Sequence, residues 1–192
     1  MSQEARIKIA KRVAKELKDG DIVNLGVGIP TLIPDYLGDK KVFLQSENGL
    51  LGIGPTPSEE EINMDLIDAS KQPITMDIGA TLFDSSDSFV MIRGGHIDVA
   101  GLGALQIDQL GEIANWAIPG KAILGVGGAM DLVAGAKKLI VDSMHQAKDG
   151  KPKLVEKLTF PSSGYGRAEM LVTEHAVFKF SDEGTDLIEK LS

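Results

Sequence analysis

The sequence predicts an α/β fold, an open, largely parallel or mixed sheet flanked by helices, and three observations carry that prediction. A charged amphipathic segment comes first and alternates with short apolar runs of strand length. The early apolar runs each end in a glycine cluster, as strands do where the chain turns into a loop or helix. The later half holds several more short apolar runs in close succession, too short for helices. No internal repeat and no linker-like stretch interrupts the 192 residues, so the expectation is one domain spanning 1–192.

Residues 4–18 read as a helix, because Ile9, Val13 and Leu17 recur at helical spacing with Lys and Arg opposite and Gly20 as a stop. Residues 21–25 read as a strand, then a glycine turn, then a short helix to Leu37 with Pro30 in its first turn. A second strand is expected at 42–45. Residues 50–55 read as a glycine-punctuated loop, 56–71 as an acidic loop and 74–78 as a strand. Asp84 is placed to cap a helix over 85–92 that ends at Gly94-Gly95. Short strands are expected at 97–102 and 105–107. An apolar run at 121–126 leads into a helix start after Gly127-Gly128. Further strands are expected at 139–141, 154–158, 170–173 and 176–180.

Composition excludes several functions. The net charge is −8 and no basic stretch is present, which argues against nucleic acid and anionic membrane surfaces. There is no cysteine, hence no disulfide, thiolate metal site or thiol nucleophile. His96, His145 and His175 lack ligand spacing, so no metal is expected. No apolar stretch approaches the ~20 residues of a membrane span. The first eighteen residues lack the apolar segment of a signal peptide, and the expectation is a cytoplasmic protein.

The stretch Gln45-Ser46-Glu47-Asn48-Gly49 hangs one carboxylate on the turn where a strand ends. α/β proteins place chemistry at such positions, and a carboxylate is one of the few nucleophiles open to a chain without cysteine. A solvated surface glutamate is the competing reading, and Ser46, Asn48 and Gly49 around it favour a site. Gly26-Val27-Gly28 lies between a strand and a helix, as an anion-binding turn or a packing turn; it lacks the third glycine of a dinucleotide fingerprint. Gly125-Val126-Gly127-Gly128-Ala129 reads as a backbone-amide nest able to stabilise an oxyanion, or as a tight strand-to-helix connection. Trp116 reads as a packing residue.

Five segments in order carry a resemblance: Asn24-Leu25-Gly26-Val27-Gly28-Ile29-Pro30; Leu44-Gln45-Ser46-Glu47-Asn48-Gly49; Ile92-Arg93-Gly94-Gly95-His96-Ile97-Asp98; Ala114-Asn115-Trp116 with Ile118-Pro119-Gly120-Lys121; and Gly127-Gly128-Ala129-Met130-Asp131-Leu132-Val133. Together they resemble the β (B) subunit of family I CoA-transferases of the succinyl-CoA or acetate/butyrate:3-oxoacid type, over about residues 9–180. The resemblance implies the α/β fold of those enzymes, a scaffold related to that of sugar-phosphate isomerases. It implies Glu47 as the nucleophile that attacks an acyl-CoA thioester, giving an acyl-glutamyl anhydride and then a glutamyl-CoA thioester. It implies Gly127 and Gly128 as oxyanion donors, and Asn24, Gly26, Gly28, Asn48, Gly49 and Lys121 as residues lining the substrate and CoA site. It implies no permanently bound cofactor, with coenzyme A as substrate and covalent intermediate, and a companion α (A) subunit in an α2β2 heterotetramer. Either Arg93, Lys121, Lys137 and Lys138 form a basic patch for CoA phosphates, or the companion supplies one. The family commonly has Glu where Met144 stands. A sugar-phosphate isomerase, a CoA-ester hydrolase and a non-catalytic subunit are the alternatives. An isomerase would form no CoA adduct, a hydrolase would need no acceptor acid, and a scaffold would survive loss of Glu47.

Overall fold

The computed structural model describes residues 2–123 and 125–191. Helix α1 (Gln3–Ala14) starts where the Ser2 hydroxyl accepts the Ala5 N–H at 3.2 Å, and it buries Ile9, Ala10, Val13 and Ala14. It ends earlier than the periodicity predicts. Leu17 is buried, but it sits in the turn beyond the helix, where the Asp21 carboxylate accepts the Lys18 N–H at 2.8 Å. An apolar residue can keep helical spacing and reach the core after the helix has ended.

Strand β1 (Ile22–Leu25) leads through Gly26–Gly28 into a 3-10 helix, Pro30–Tyr36. Strand β2 (Phe43–Ser46) turns back at residues 47–49 into β3 (Leu50–Ile53), and β4 (Met76–Leu82) follows the acidic excursion. Helix α2 (Ser85–Arg93) follows, then β5 (Val99–Leu102), β6 (Gln106–Asp108) and β7 (Ile113–Ala114). Asp84 occupies the α2 N-cap position without a side-chain cap hydrogen bond. Helix α3 (Ala129–Gly135), β8 (Lys138–Asp142), β9 (Leu154–Val155), β10 (Met170–Val172), β11 (Ala176–Ser181) and β12 (Gly184–Lys190) complete the chain.

Nine strands form one sheet in the order β12-β11-β10-β8-β5-β1-β2-β3-β4. Its centre, β10-β8-β5-β1-β2, is parallel throughout, and antiparallel strands extend both edges. A small second sheet runs β7-β6-β9. The parallel centre is buried on both faces, as crossover connections require. Ile140 packs with Ile9, Val13, Val23, Ile33 and Val99 on the α1 face. Its neighbours Leu139 and Val141 point the other way, toward Ile92, Leu132 and Val133 of α2 and α3.

The predicted loop at 50–55 is instead largely strand. Gly52 has φ of +95°, and the pairing of β3 with β4 shifts register around it. A Cβ there would lie 2.9 Å from the Ala80 Cα. The glycine that reads as loop punctuation is a bulge residue permitting close strand approach. β12 was not expected, because its exposed, polar edge lacks an apolar pattern. No strand forms at 121–123 or 125–126, and Leu124 of that expected run lies outside the described residues. Among the described residues no helix is long and apolar enough to cross a membrane.

The last residue of β8, Asp142, is fully buried, and neither carboxylate oxygen has a hydrogen-bond partner. Burial pushes its carboxyl well above the ordinary aspartate value of 3.8. The folded protein therefore keeps a proton that the unfolded chain releases. Its ionisation costs no stability below pH 3.8, and that cost grows as pH rises from there toward the raised folded value. Asp142→Asn should remove that slope. Chemical denaturation across pH should show the variant gaining stability over the native chain as pH increases.

Candidate active site

The carboxyl ends of β1, β2, β5 and β8 open into a cleft of about 1730 Å³, larger than a typical small-ligand pocket of roughly 300–1,000 Å³. Its walls include Gly26, Gly28, Gln45, Ser46, Glu47, Asn115, Gly127, Gly128, Asp142 and Lys153. This is the edge where open α/β sheets bind ligands.

Glu47 is held there by the β2–β3 hairpin. Gly49 closes the turn at φ +116°, and a Cβ on it would lie 2.0 Å from the Phe83 carbonyl oxygen. That carbonyl belongs to the β4–α2 connection, whose Phe83 N–H donates to Gly49 O at 3.0 Å. Only glycine fits, both for conformation and for space. The Asn48 amide donates to Ile67 O at 2.8 Å and ties the acidic excursion to the turn. The Glu47 side chain is half-buried. Its Oε2 accepts from Asn24 Nδ2 at 3.3 Å. Its other oxygen, Oε1, faces Gly128, where a built Cβ would stand 3.2 Å away and also 3.3 Å from Phe89 Cζ. Among the described residues no cation pairs with Glu47.

Asn24 is fully buried and part of a longer chain. Its Nδ2 also donates to Gln45 Oε1 at 2.6 Å, and Gln45 Nε2 donates to Ser88 Oγ at 2.6 Å. The structure thus gathers Asn24, Glu47 and Gly128 at one point, and Gly26, Gly28 and Gly127 also line the cleft. Gly26 makes the end of β1 hug β5: its N–H donates to Gly101 O at 2.8 Å, and a Cβ would meet Leu102 Cδ2 at 3.0 Å. Gly28, at φ +107°, faces open space. Asn24, Asn48, Gly49 and Lys121 are not among the cleft-lining residues: Asn24 is fully buried and meets the site through Glu47, and Lys121 is exposed.

Three of the four cations considered for a basic patch are committed elsewhere. Arg93 pairs with Asp131 at 2.6 Å, Lys137 with Asp98 at 2.8 Å and Lys138 with Glu16 at 2.8 Å. Lys137 and Lys138 also stand at the start of β8, the opposite end of the strand from the cleft. Of the cavity's cations, Lys153 stands at the carboxyl edge, whereas Lys40 and Lys41 precede β2 at the amino end of the sheet, with Lys40 donating to Ala14 O at 2.8 Å. Lys153 donates to Ala104 O and Ser143 Oγ, both at 2.7 Å. Burial lowers its pKa, against a smaller opposing pull from Glu174. The Trp116 indole donates to Ser162 O at 3.0 Å, consistent with packing. Among the described residues no group of three His, Asp or Glu is arranged to hold a metal ion.

Sequence reasoning passed over Gln45, Ser88 and Lys153 as functional residues. Ser88 carried a usable signal: it lies four residues before Ile92 on the apolar side of α2, and both are fully buried. A polar residue at a core position needs a partner.

The sequence pattern of the family described as Coenzyme A transferase matches residues 6–192. The B subunit of succinyl-CoA:3-ketoacid coenzyme A transferase from Helicobacter pylori (strain J99) is 51% identical over 184 residues, covering 96% of this chain and 89% of that one. The beta subunit of acetate CoA-transferase from Escherichia coli (strain K12) is 50% identical over 180 residues, covering 93% and 82%. Among solved structures, the acyl-CoA transferase YdiF apoenzyme of E. coli O157:H7 superposes with a TM-score of 0.76 at 24% identity, over 99% of this chain and 38% of that longer one. Matched along nearly its whole length, and with its turn glutamate set at the carboxyl edge of the sheet, this chain belongs to the Coenzyme A transferase family as a B-type (β) subunit of family I.

Proposed function

We propose that this chain transfers CoA between an acyl-CoA and a short-chain carboxylic acid, a 3-oxoacid on one side and succinate, acetate or butyrate on the other. Transfer runs by ping-pong through a glutamyl-CoA thioester on Glu47. The observation that carries this reading is the carboxylate itself: half-buried in the cleft, unpaired by any described cation, steadied at one oxygen and facing a glycine at the other. Names of relatives at 50–51% identity support the acid class.

In this reading Glu47 adds to the thioester carbonyl, and the CoA thiolate leaves to give an acyl-glutamyl anhydride. The thiolate then attacks the glutamyl carbonyl and releases the first acid. The second acid reverses both steps. Gly127 and Gly128 offer backbone N–H groups to the acyl oxyanion, each such donor typically worth ~2.7–4 kcal/mol. Gly28, Gly127 and Gly128 leave room for pantetheine because none carries a side chain. Two relatives are named as B or beta subunits, and the companion A subunit completes the cleft here, in an α2β2 assembly. Val27, Ile78 and Val126 stand exposed around the cleft, an apolar surface such a partner would cover. Lys153 and the partner together offset the CoA phosphates.

The test is isotope exchange. With acetoacetyl-CoA and labelled acetoacetate alone, the assembled enzyme should move label into the thioester without any second acid, because the first half-reaction is independent and reversible. Exchange that requires the second acid, or acyl groups lost to water, would contradict the reading.

A further inference from the structure

We propose that Asn115 is a specificity-determining residue whose side-chain NH2 group donates to the 3-oxo oxygen of the acyl group presented to Glu47, and that the Ser163 hydroxyl is the positioning residue that turns the NH2 group toward the cleft. This rests on Glu47 being the nucleophile.

Asn115 follows β7 in the small sheet and lines the cleft. Three hydrogen bonds clasp its segment to residues 162–163. The Asn115 backbone N–H donates to Ser163 Oγ at 2.9 Å, the Ser163 N–H donates to Ile113 O at 2.8 Å, and the Trp116 indole donates to Ser162 O at 3.0 Å. Ser163 is fully buried, and its hydroxyl has one proton to give, which goes to Asn115 Oδ1 at 2.7 Å. A flipped amide would aim a second donor at Ser163 Oγ and leave the hydroxyl proton buried without an acceptor. The oxygen of Asn115 is thereby held toward the protein, and the NH2 group is the end turned away. Among the described residues Asn115 Nδ2 meets no acceptor, and it is not sealed from solvent as Asn24 Oδ1 is.

The same segment is anchored beside the nucleophile. A Cβ on Gly164 would lie 3.6 Å from Met130 O, in the first turn of α3, and Gly128, which faces Glu47 Oε1, precedes that turn. An acyl-CoA meeting Oε1 there extends its acyl chain one way from the thioester carbon and its pantetheine arm the other. The two ends of the cleft differ. Gly28 faces open space beside Val27, which is 71% exposed. Beside Asn115, the Leu105 N–H donates to Ala114 O at 2.8 Å and brings Ala104 alongside, and Ala104 and Leu132, both buried, wall the cleft. The long arm fits the open end and the short chain the enclosed one. The 3-oxo carbon lies two bonds beyond the thioester carbon, on the enclosed side. A ketone is a neutral acceptor, and a neutral NH2 group pairs with it without an ion to desolvate. A saturated chain of the same length offers that group nothing.

The test compares acetoacetyl-CoA with butyryl-CoA, thioesters of equal chain length that differ by the 3-oxo oxygen, in the enzyme assembled with its companion subunit. Rapid quench and intact mass give the second-order rate of Glu47–CoA adduct formation from each, and the ratio of the two rates is the readout. Asn115→Ala should lower the preference for acetoacetyl-CoA about tenfold, the loss of one hydrogen bond at a half-buried site. Ser163→Ala should lower it by a smaller factor, and Ser163→Thr should restore it, which a packing role alone would not do. Ser163→Ala carries the test if Asn115→Ala fails to assemble. A ratio unchanged in both alanine variants, equal losses with the two thioesters included, would overturn the proposal and leave Glu47 as the nucleophile. A native enzyme with no adduct on Glu47 would overturn that reading and this one with it.

Discussion

Glu47→Gln should abolish transfer while leaving the fold intact. The amide keeps the size of the carboxylate and an oxygen for the Asn24 N–H, but it presents no anionic oxygen to a thioester. Removing a covalent nucleophile from an otherwise complete site costs on the order of 10⁴–10⁶ in kcat. Thermal stability should stay within about 0.5 kcal/mol, the usual range for a substitution at a half-exposed turn position that keeps its packing and hydrogen bonding. Steady-state transfer and a melting curve on the same preparation check both halves. A variant that still transfers CoA at more than a few per cent of the native rate contradicts the assignment.

Gly128→Val should be the most damaging change that leaves every polar group of the site in place. Gly128 has φ −83° and ψ −1°, a conformation any residue adopts, so backbone strain does not enter. Space does. Even a single Cβ would sit 3.2 Å from Glu47 Oε1, 3.3 Å from Phe89 Cζ and 3.4 Å from Glu47 Cδ. Alanine forces a shift of a few tenths of an ångström, and the branched side chain of valine fills the approach to Oε1. Misplacing a reacting atom by about 1 Å can cost roughly 10²-fold. Gly128→Ala should therefore lose kcat modestly, and Gly128→Val by about 10²-fold or more. Stability should fall far less than for a change at Gly166, where a Cβ would lie against the Val133 carbonyl oxygen at 1.8 Å. Equal activity in the alanine and valine variants would show that the oxygen facing Gly128 is not the one that reacts.

Much of this site was legible in the sequence because it is built from local patterns. Glu47 ends an apolar run, Gly49 follows it, and Gly26 through Pro30 mark a strand-to-helix passage. Those patterns predict where a chain turns, and turns at strand ends converge in an α/β fold. The glycines also misled: Gly52 sits at a bulge inside β3, yet sequence alone does not distinguish a bulge glycine from a loop glycine. The basic patch failed for a different reason. Arg93, Lys137 and Lys138 each found a carboxylate brought near by the fold, and two of them start the strand whose far end meets the cleft. Cation pairing across 38 to 122 residues of chain is invisible to spacing rules. The Asn24–Gln45–Ser88 chain likewise joins β1, β2 and α2 across 21 and 43 residues. Ser88 on the buried side of a helix was its one local trace.

The most direct measurement is the mass and location of the covalent intermediate. The chain, assembled with its companion subunit and given acetoacetyl-CoA without an acceptor acid, should gain the mass of CoA less water. Peptide mapping should place it on Glu47, and adding acetoacetate should discharge it. An adduct on any other residue, or undiminished transfer with no adduct at all, would contradict the account.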